Sequence, residues 1–95
     1  MKNIYLDYAA ATPVDPQVLE VMMPFFTDQF ANPSSLYASA RVTREALVAA
    51  RASVANTLGA KPTEIIFTAG ATESINLAIQ GVMHKFPNGH IITTN

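Results

Sequence analysis

The chain has 95 residues, 49% of them hydrophobic and only 14% charged, with six Lys and Arg, seven Asp and Glu, and no cysteine. A formal net charge of −1 argues against a basic nucleic-acid arm or a polybasic membrane patch, and the missing cysteine excludes a disulfide scaffold, a Cys-ligated zinc site and a thiol nucleophile within this chain. Soluble domains are typically about 25% charged, and small ones have the most surface to cover, so this chain is composed like the interior of a larger protein.

No apolar run approaches the roughly 18–20 residues of a membrane-spanning helix. Lys2 could open a signal sequence, but Asp7 interrupts the apolar stretch short of a usable length. Ile4-Tyr5-Leu6 is β-prone, and the small residues from Ala9 to Pro13 read as irregular. Asp15-Pro16 then supplies an N-cap and a proline at the first helical position. Val18, Leu19, Met22 and Phe25 share one face of that helix, which Pro24 should kink or end. Asn32-Pro33-Ser34-Ser35 starts the longest predicted helix, with Leu36, Ala40, Leu47, Val54 and Leu58 in one arc. Arg44 and Arg51 lie at the edge of the arc, where their stems cover apolar surface, and Arg41 and Glu45 form an i,i+4 pair opposite. Gly59 and Pro62 stop this helix.

Glu64-Ile65-Ile66-Phe67-Thr68 predicts a strand, Ala69-Gly70-Ala71 a tight turn, and Thr72 onward a helix carried by Ile75, Ile79, Val82 and Phe86. Pro87-Asn88-Gly89 ends it, and His90-Ile91-Ile92-Thr93-Thr94 predicts a second strand. Strand, helix, strand at this spacing implies a βαβ unit with parallel strands and a right-handed crossover. Parallel sheets are covered by helices on both faces, which two strands and three helices cannot provide. The expected fold class is therefore α/β, as part of a larger sheet.

The strand-to-helix turn is the place to look for chemistry. The first N–H groups of a helix have no intrahelical acceptor, and the dipole puts about +0.5 charge there. Gly70 and Ala71 admit an anion to the backbone and Thr72 adds a hydroxyl, which together read as a phosphate cradle. The plainer alternative is an ordinary turn capped by Thr72. The turn is not a Walker A loop or a dinucleotide fingerprint, because the further glycines and the Gly-Lys-Ser/Thr ending are missing. Asp7 is a candidate carboxylate, but a lone Asp beside a strand end is more often a turn residue. Asn32, Ser34 and Ser35 read as capping residues, and Asp15 is satisfied by its cap role. Glu73, His84 and Lys85 suit the helix dipole. His90 has no visible partner, and Met22, Met23 and Met83 read as core filler.

Three segments, in this order and spacing, resemble the opening of a cysteine desulfurase, in the class V aminotransferase group of pyridoxal-phosphate enzymes. They are Tyr5-Leu6-Asp7-Tyr8-Ala9-Ala10-Ala11-Thr12-Pro13-Val14-Asp15-Pro16, Asn32-Pro33-Ser34-Ser35-Leu36, and Ile65-Ile66-Phe67-Thr68-Ala69-Gly70-Ala71-Thr72-Glu73-Ser74-Ile75-Asn76. The resemblance implies the large domain of the aspartate-aminotransferase type (fold type I). Residues 1–14 would form a segment near the active-site mouth, and residues 15–95 the start of the cofactor-binding domain. It further implies that Ala71 and Thr72, with Gly70 beside them, hold the phosphate of pyridoxal 5'-phosphate. Ala11, Ala31, Tyr37, Ala40 and Ala69 depart from the usual pattern, and Ala69 stands beside the turn where Ser is frequent.

No catalytic residue matches within this chain. The cofactor-binding lysine, the Asp at the pyridine nitrogen and the persulfide-carrying Cys have no counterpart, and the ring-stacking histidine would fall beyond Asn95, so His90 is not it. For the parent enzyme the resemblance implies conversion of L-cysteine to L-alanine with sulfur passed to an enzyme persulfide. It also implies a sulfur-acceptor protein, a homodimer, a cytoplasmic setting, and a role in iron-sulfur cluster or other sulfur-containing cofactor synthesis. Neither nucleic acid nor membrane is expected as a partner. Another class V aminotransferase, a selenocysteine lyase or a small free-standing binding module remain the alternatives.

Overall fold

A computed structural model describes residues 4–94, with helices α1 (Pro16–Thr27), α2 (Ala38–Leu58) and α3 (Ala71–Lys85) and a single 3-10 turn at Pro62–Glu64. Lys2 and Asn95 lie outside the described residues. α1 begins where its sequence dictates: the Asp15 carboxylate accepts the Gln17 N–H at 2.8 Å, and Pro16 occupies the first turn. Pro24 does not end the helix at once. α1 runs on to Thr27, and the Pro24 carbonyl then closes it by accepting the N–H groups of Asp28 (2.9 Å) and Gln29 (2.7 Å). A proline removes its own donor and crowds the preceding turn, while its carbonyl stays free to bond onward.

α2 starts later than its apolar arc suggested. The Asn32 side chain accepts the Ser34 N–H at 2.9 Å, and the Asn32 carbonyl accepts the Ser35 N–H at 3.1 Å. These local bonds compete with helix formation and hold the segment as a turn. Leu36 therefore lies outside the helix and is 99% exposed, a correction to its place in the arc. The far end behaves as read: Gly59 adopts φ +65°, and the Ala60 N–H returns to the Ala55 carbonyl at 2.9 Å. The Thr43 hydroxyl donates to the Gln29 carbonyl at 3.0 Å, tying the exit of α1 to α2. Arg41 and Glu45 pair at 3.1 Å, as expected.

Among the described residues no strand is present, so the expected βαβ unit is not seen there. Residues 65–68 and 91–94 flank α3 without any ladder hydrogen bond between them. A strand is defined by its neighbour, and neither segment finds one here. Ile66 and Ile92, the hydrophobic heart of each predicted strand, stay exposed. The radius of gyration is 18.5 Å, against about 12 Å for a compact domain of this length. Only Ala40 and Ala55 are fully buried among the hydrophobic residues described. Met22 and Met23 are 40% and 47% exposed, so they do not fill a core within this chain. The helices form an open plate, and the apolar faces read from periodicity are only partly covered: Phe25 of α1 lines a cavity with Leu47 and Ala50 of α2, while Val18, Leu19, Ile75 and Val82 stay exposed.

Candidate functional site: the turn before α3

The approach to the turn is held from α2. The Arg51 guanidinium donates to the Ile65 carbonyl and lies over the Phe67 ring, 5.0 Å from its centroid. Seven residues earlier on the same helix, Arg44 does comparable work. Its Nε donates to the Pro33 carbonyl at 2.8 Å and its Nη2 to the Ser35 carbonyl, which pins the Asn32-Pro33-Ser34-Ser35 turn. From residue spacing alone both arginines read as stems that cover apolar surface. Their spacing of seven was visible, but the carbonyls they reach are 9 to 14 residues away along the chain, and no local pattern reports such a contact.

The turn itself is knit by side chains. Thr68 Oγ1 donates to the Gly70 carbonyl at 3.2 Å and lies 2.7 Å from Ser74 Oγ. The Glu73 carboxylate accepts the Ala69 N–H at 2.7 Å. α3 opens at Ala71, with Gly70 as its N-cap and no side-chain cap bond, and the first helical bond runs from the Ser74 N–H to the Gly70 carbonyl at 3.1 Å. The N–H groups of Gly70, Ala71, Thr72 and Glu73 make no hydrogen bond to the described residues. Gly70 has φ 169°, extended backbone open to any residue, and a Cβ there would meet nothing within 4 Å. Its contribution is bare backbone beside four free donors.

Thr72 is not a cap. Its hydroxyl makes no bond to the described residues, while its carbonyl accepts Asn76 Nδ2 at 2.8 Å. The plainer alternative, a threonine-capped turn, is therefore not what forms. Gly70, Ala71 and Thr72 lie together on an exposed surface at the positive end of a 15-residue helix. Such an arrangement suits a compact polyvalent anion, which accepts several N–H bonds at once. The donors present fit a phosphate ester.

The remaining candidates stand apart from this turn. The Asp7 carbonyl takes the Tyr5 hydroxyl at 2.9 Å and the Ala10 N–H at 3.0 Å, while its carboxylate has no partner among the described residues. Tyr5 and Tyr8 meet edge to face with centroids 5.4 Å apart. His84 and Lys85 occupy the last turn of α3, and His90 is exposed. Among the described residues no group of three His, Cys, Asp or Glu could hold a metal ion, and no helix is long and apolar enough to cross a membrane.

The family described as aminotransferase class-V matches residues 4–95. This chain belongs to that family. Class V aminotransferases and cysteine desulfurases are pyridoxal-phosphate enzymes. The cysteine desulfurase IscS of Dictyoglomus turgidum is 48% identical over 95 residues, covering 98% of this chain and 24% of that protein. A solved NifS-like protein superposes with a TM-score of 0.85 at 38% identity, over 92% of this chain and 24% of the other. A structure described as SspA in complex with cysteine gives a TM-score of 0.79 at 53% identity, over 85% of this chain and 23% of that one. The chain thus spans about a quarter of the length of the class V relatives it matches. Over 92% of the chain the backbone keeps the arrangement it has in the NifS-like structure.

Proposed function

We propose that this chain is the opening part of a pyridoxal-phosphate-dependent cysteine desulfurase built on the fold type I large domain. The observation that carries the reading is the set of unpartnered donors at the start of α3, in a chain of this family. Ala71 and Thr72 hold the cofactor phosphate through backbone N–H groups and the Thr72 hydroxyl, with Gly70 allowing close approach. Residues 1–14 lie near the mouth of the site, and residues 15–95 begin the cofactor-binding domain. When bound, pyridoxal phosphate supplies the electron sink for bond changes at the amino acid. This chain's own residues anchor and orient it by its phosphate end.

The substrate in this reading is L-cysteine, supported by the SspA relative whose structure holds cysteine. The products are L-alanine and an enzyme persulfide that an acceptor protein empties for iron-sulfur cluster or related cofactor synthesis. The parent works as a cytoplasmic homodimer. Having no cysteine, this chain does not itself carry the persulfide. The test is alanine and sulfide release from L-cysteine in the presence of pyridoxal phosphate and a thiol reductant, which reduces the persulfide and frees its outer sulfur as sulfide. The complete enzyme should produce both and the 95-residue chain neither. Amino-group transfer to a keto acid by the complete enzyme, without sulfide, would overturn the desulfurase reading.

A further inference from the structure

Two glutamates in this chain occupy the third position of a helical turn, and they behave differently. Glu64 reaches back three residues to the Lys61 N–H at 2.7 Å, which is the N-cap donor of its 3-10 turn. Glu73 reaches back four residues, past the N-cap Gly70, to the Ala69 N–H at 2.7 Å. Had Glu73 followed Glu64, its carboxylate would have taken the Gly70 N–H and placed a negative charge across the donors of α3. Bound to Ala69 instead, it leaves the N–H groups of Gly70, Ala71, Thr72 and Glu73 free. The Thr68 and Ser74 hydroxyls, 2.7 Å apart, close the other side of the same turn.

We propose that Glu73 is a positioning residue for the phosphate turn: by holding the Ala69 N–H it fixes the turn and keeps its own charge off the four donors. This inference rests on the reading of that turn as the cofactor-phosphate site. It concerns the hydrogen bond and not the negative charge, which by itself opposes an anion. Two substitutions separate the two. Glu73→Gln removes the charge and keeps an acceptor for Ala69, whereas Glu73→Ala removes both.

The experiment uses the complete enzyme stripped of cofactor, titrated with pyridoxal phosphate and, in parallel, with pyridoxal, which lacks the phosphate. Glu73→Gln should bind pyridoxal phosphate at least as tightly as the parent. Glu73→Ala should bind it roughly two- to tenfold more weakly than Glu73→Gln, the range expected for one lost hydrogen bond, with pyridoxal affinity unchanged. Equal affinity of the two variants, or equal loss of both ligands in Glu73→Ala, would overturn the inference. Thr72→Val in the same titration separates the two readings. If it weakens pyridoxal phosphate while the Glu73 variants match each other, only the role of Glu73 fails. If it changes nothing, the cradle reading of Thr72 fails as well.

Discussion

The starts of α1 and α3 face the same electrostatic problem and meet it differently. Each helix presents free N–H groups and the positive end of its dipole. At α1, Asp15 supplies a carboxylate that takes the Gln17 N–H, so the helix satisfies part of its own terminus and neutralises the local charge. At α3 the corresponding position is Gly70, which has no side chain, and the nearest carboxylate is turned back onto Ala69. The α1 start is partly satisfied by its own side chain, whereas the α3 start leaves its donors open, as the phosphate reading proposed above requires.

The comparison breaks most sharply if α3 is given the cap that α1 has. Gly70→Asp should be tolerated by the backbone, since φ there is 169° and a Cβ meets nothing within 4 Å. Its carboxylate would occupy the donors and repel the phosphate. With two hydrogen bonds to a charged acceptor lost, cofactor affinity of the stripped complete enzyme should fall by at least about a hundredfold, while thermal stability changes little. Unchanged rebinding would mean that phosphate does not use these donors.

Thr72→Val is the next largest expected effect, because it deletes one hydroxyl and retains size and branching. One hydrogen bond to a charged acceptor is worth about 1.5–3 kcal/mol, so rebinding should weaken roughly ten- to hundredfold. Thr72→Ser should bind like the parent. A loss of folding stability alone, at full affinity, would reassign Thr72 to a purely local role.

The smallest effect belongs to the other helix. Asp15→Ala should lower the stability of the complete enzyme by about 1 kcal/mol through loss of the α1 cap, read as a lower denaturant midpoint. Cofactor rebinding should stay at the parent value. A matching drop in affinity would show that the two helix ends are coupled, and the contrast between them would lose its meaning.

Much of this was legible from residues alone, and the legible part was local. The Asp15-Pro16 start and the Gly59 stop depend on neighbours within one turn of chain, and both formed as read. So did the small-residue turn before α3, because Gly70, Ala71 and Thr72 announce open backbone by composition. Leu36 misled, since its helical spacing was genuine but the Asn32 side chain claimed the Ser34 N–H and held a turn instead. Met22 and Met23 misled for another reason: an apolar face predicts that a residue will be covered, without saying which part of the polypeptide covers it.

Residues alone determined that there are three helices, the Asp15 cap of α1, the Gly59 stop of α2 and the small-residue turn before α3, because each follows from interactions spanning a few residues. The family resemblance read from three spaced segments agrees with the class V match over residues 4–95. Only the tertiary structure decided that Thr72 is not a cap, that Glu73 bonds to Ala69, and that Arg44 and Arg51 hold two distant turns on α2. Side-chain reach across a turn has several near-equal choices, and residue types alone do not say which one forms. The strands show the same limit from the opposite side. Residues 65–68 and 91–94 carry a strand's composition, yet a strand exists only through hydrogen bonds to a neighbour, and these segments supply none to each other.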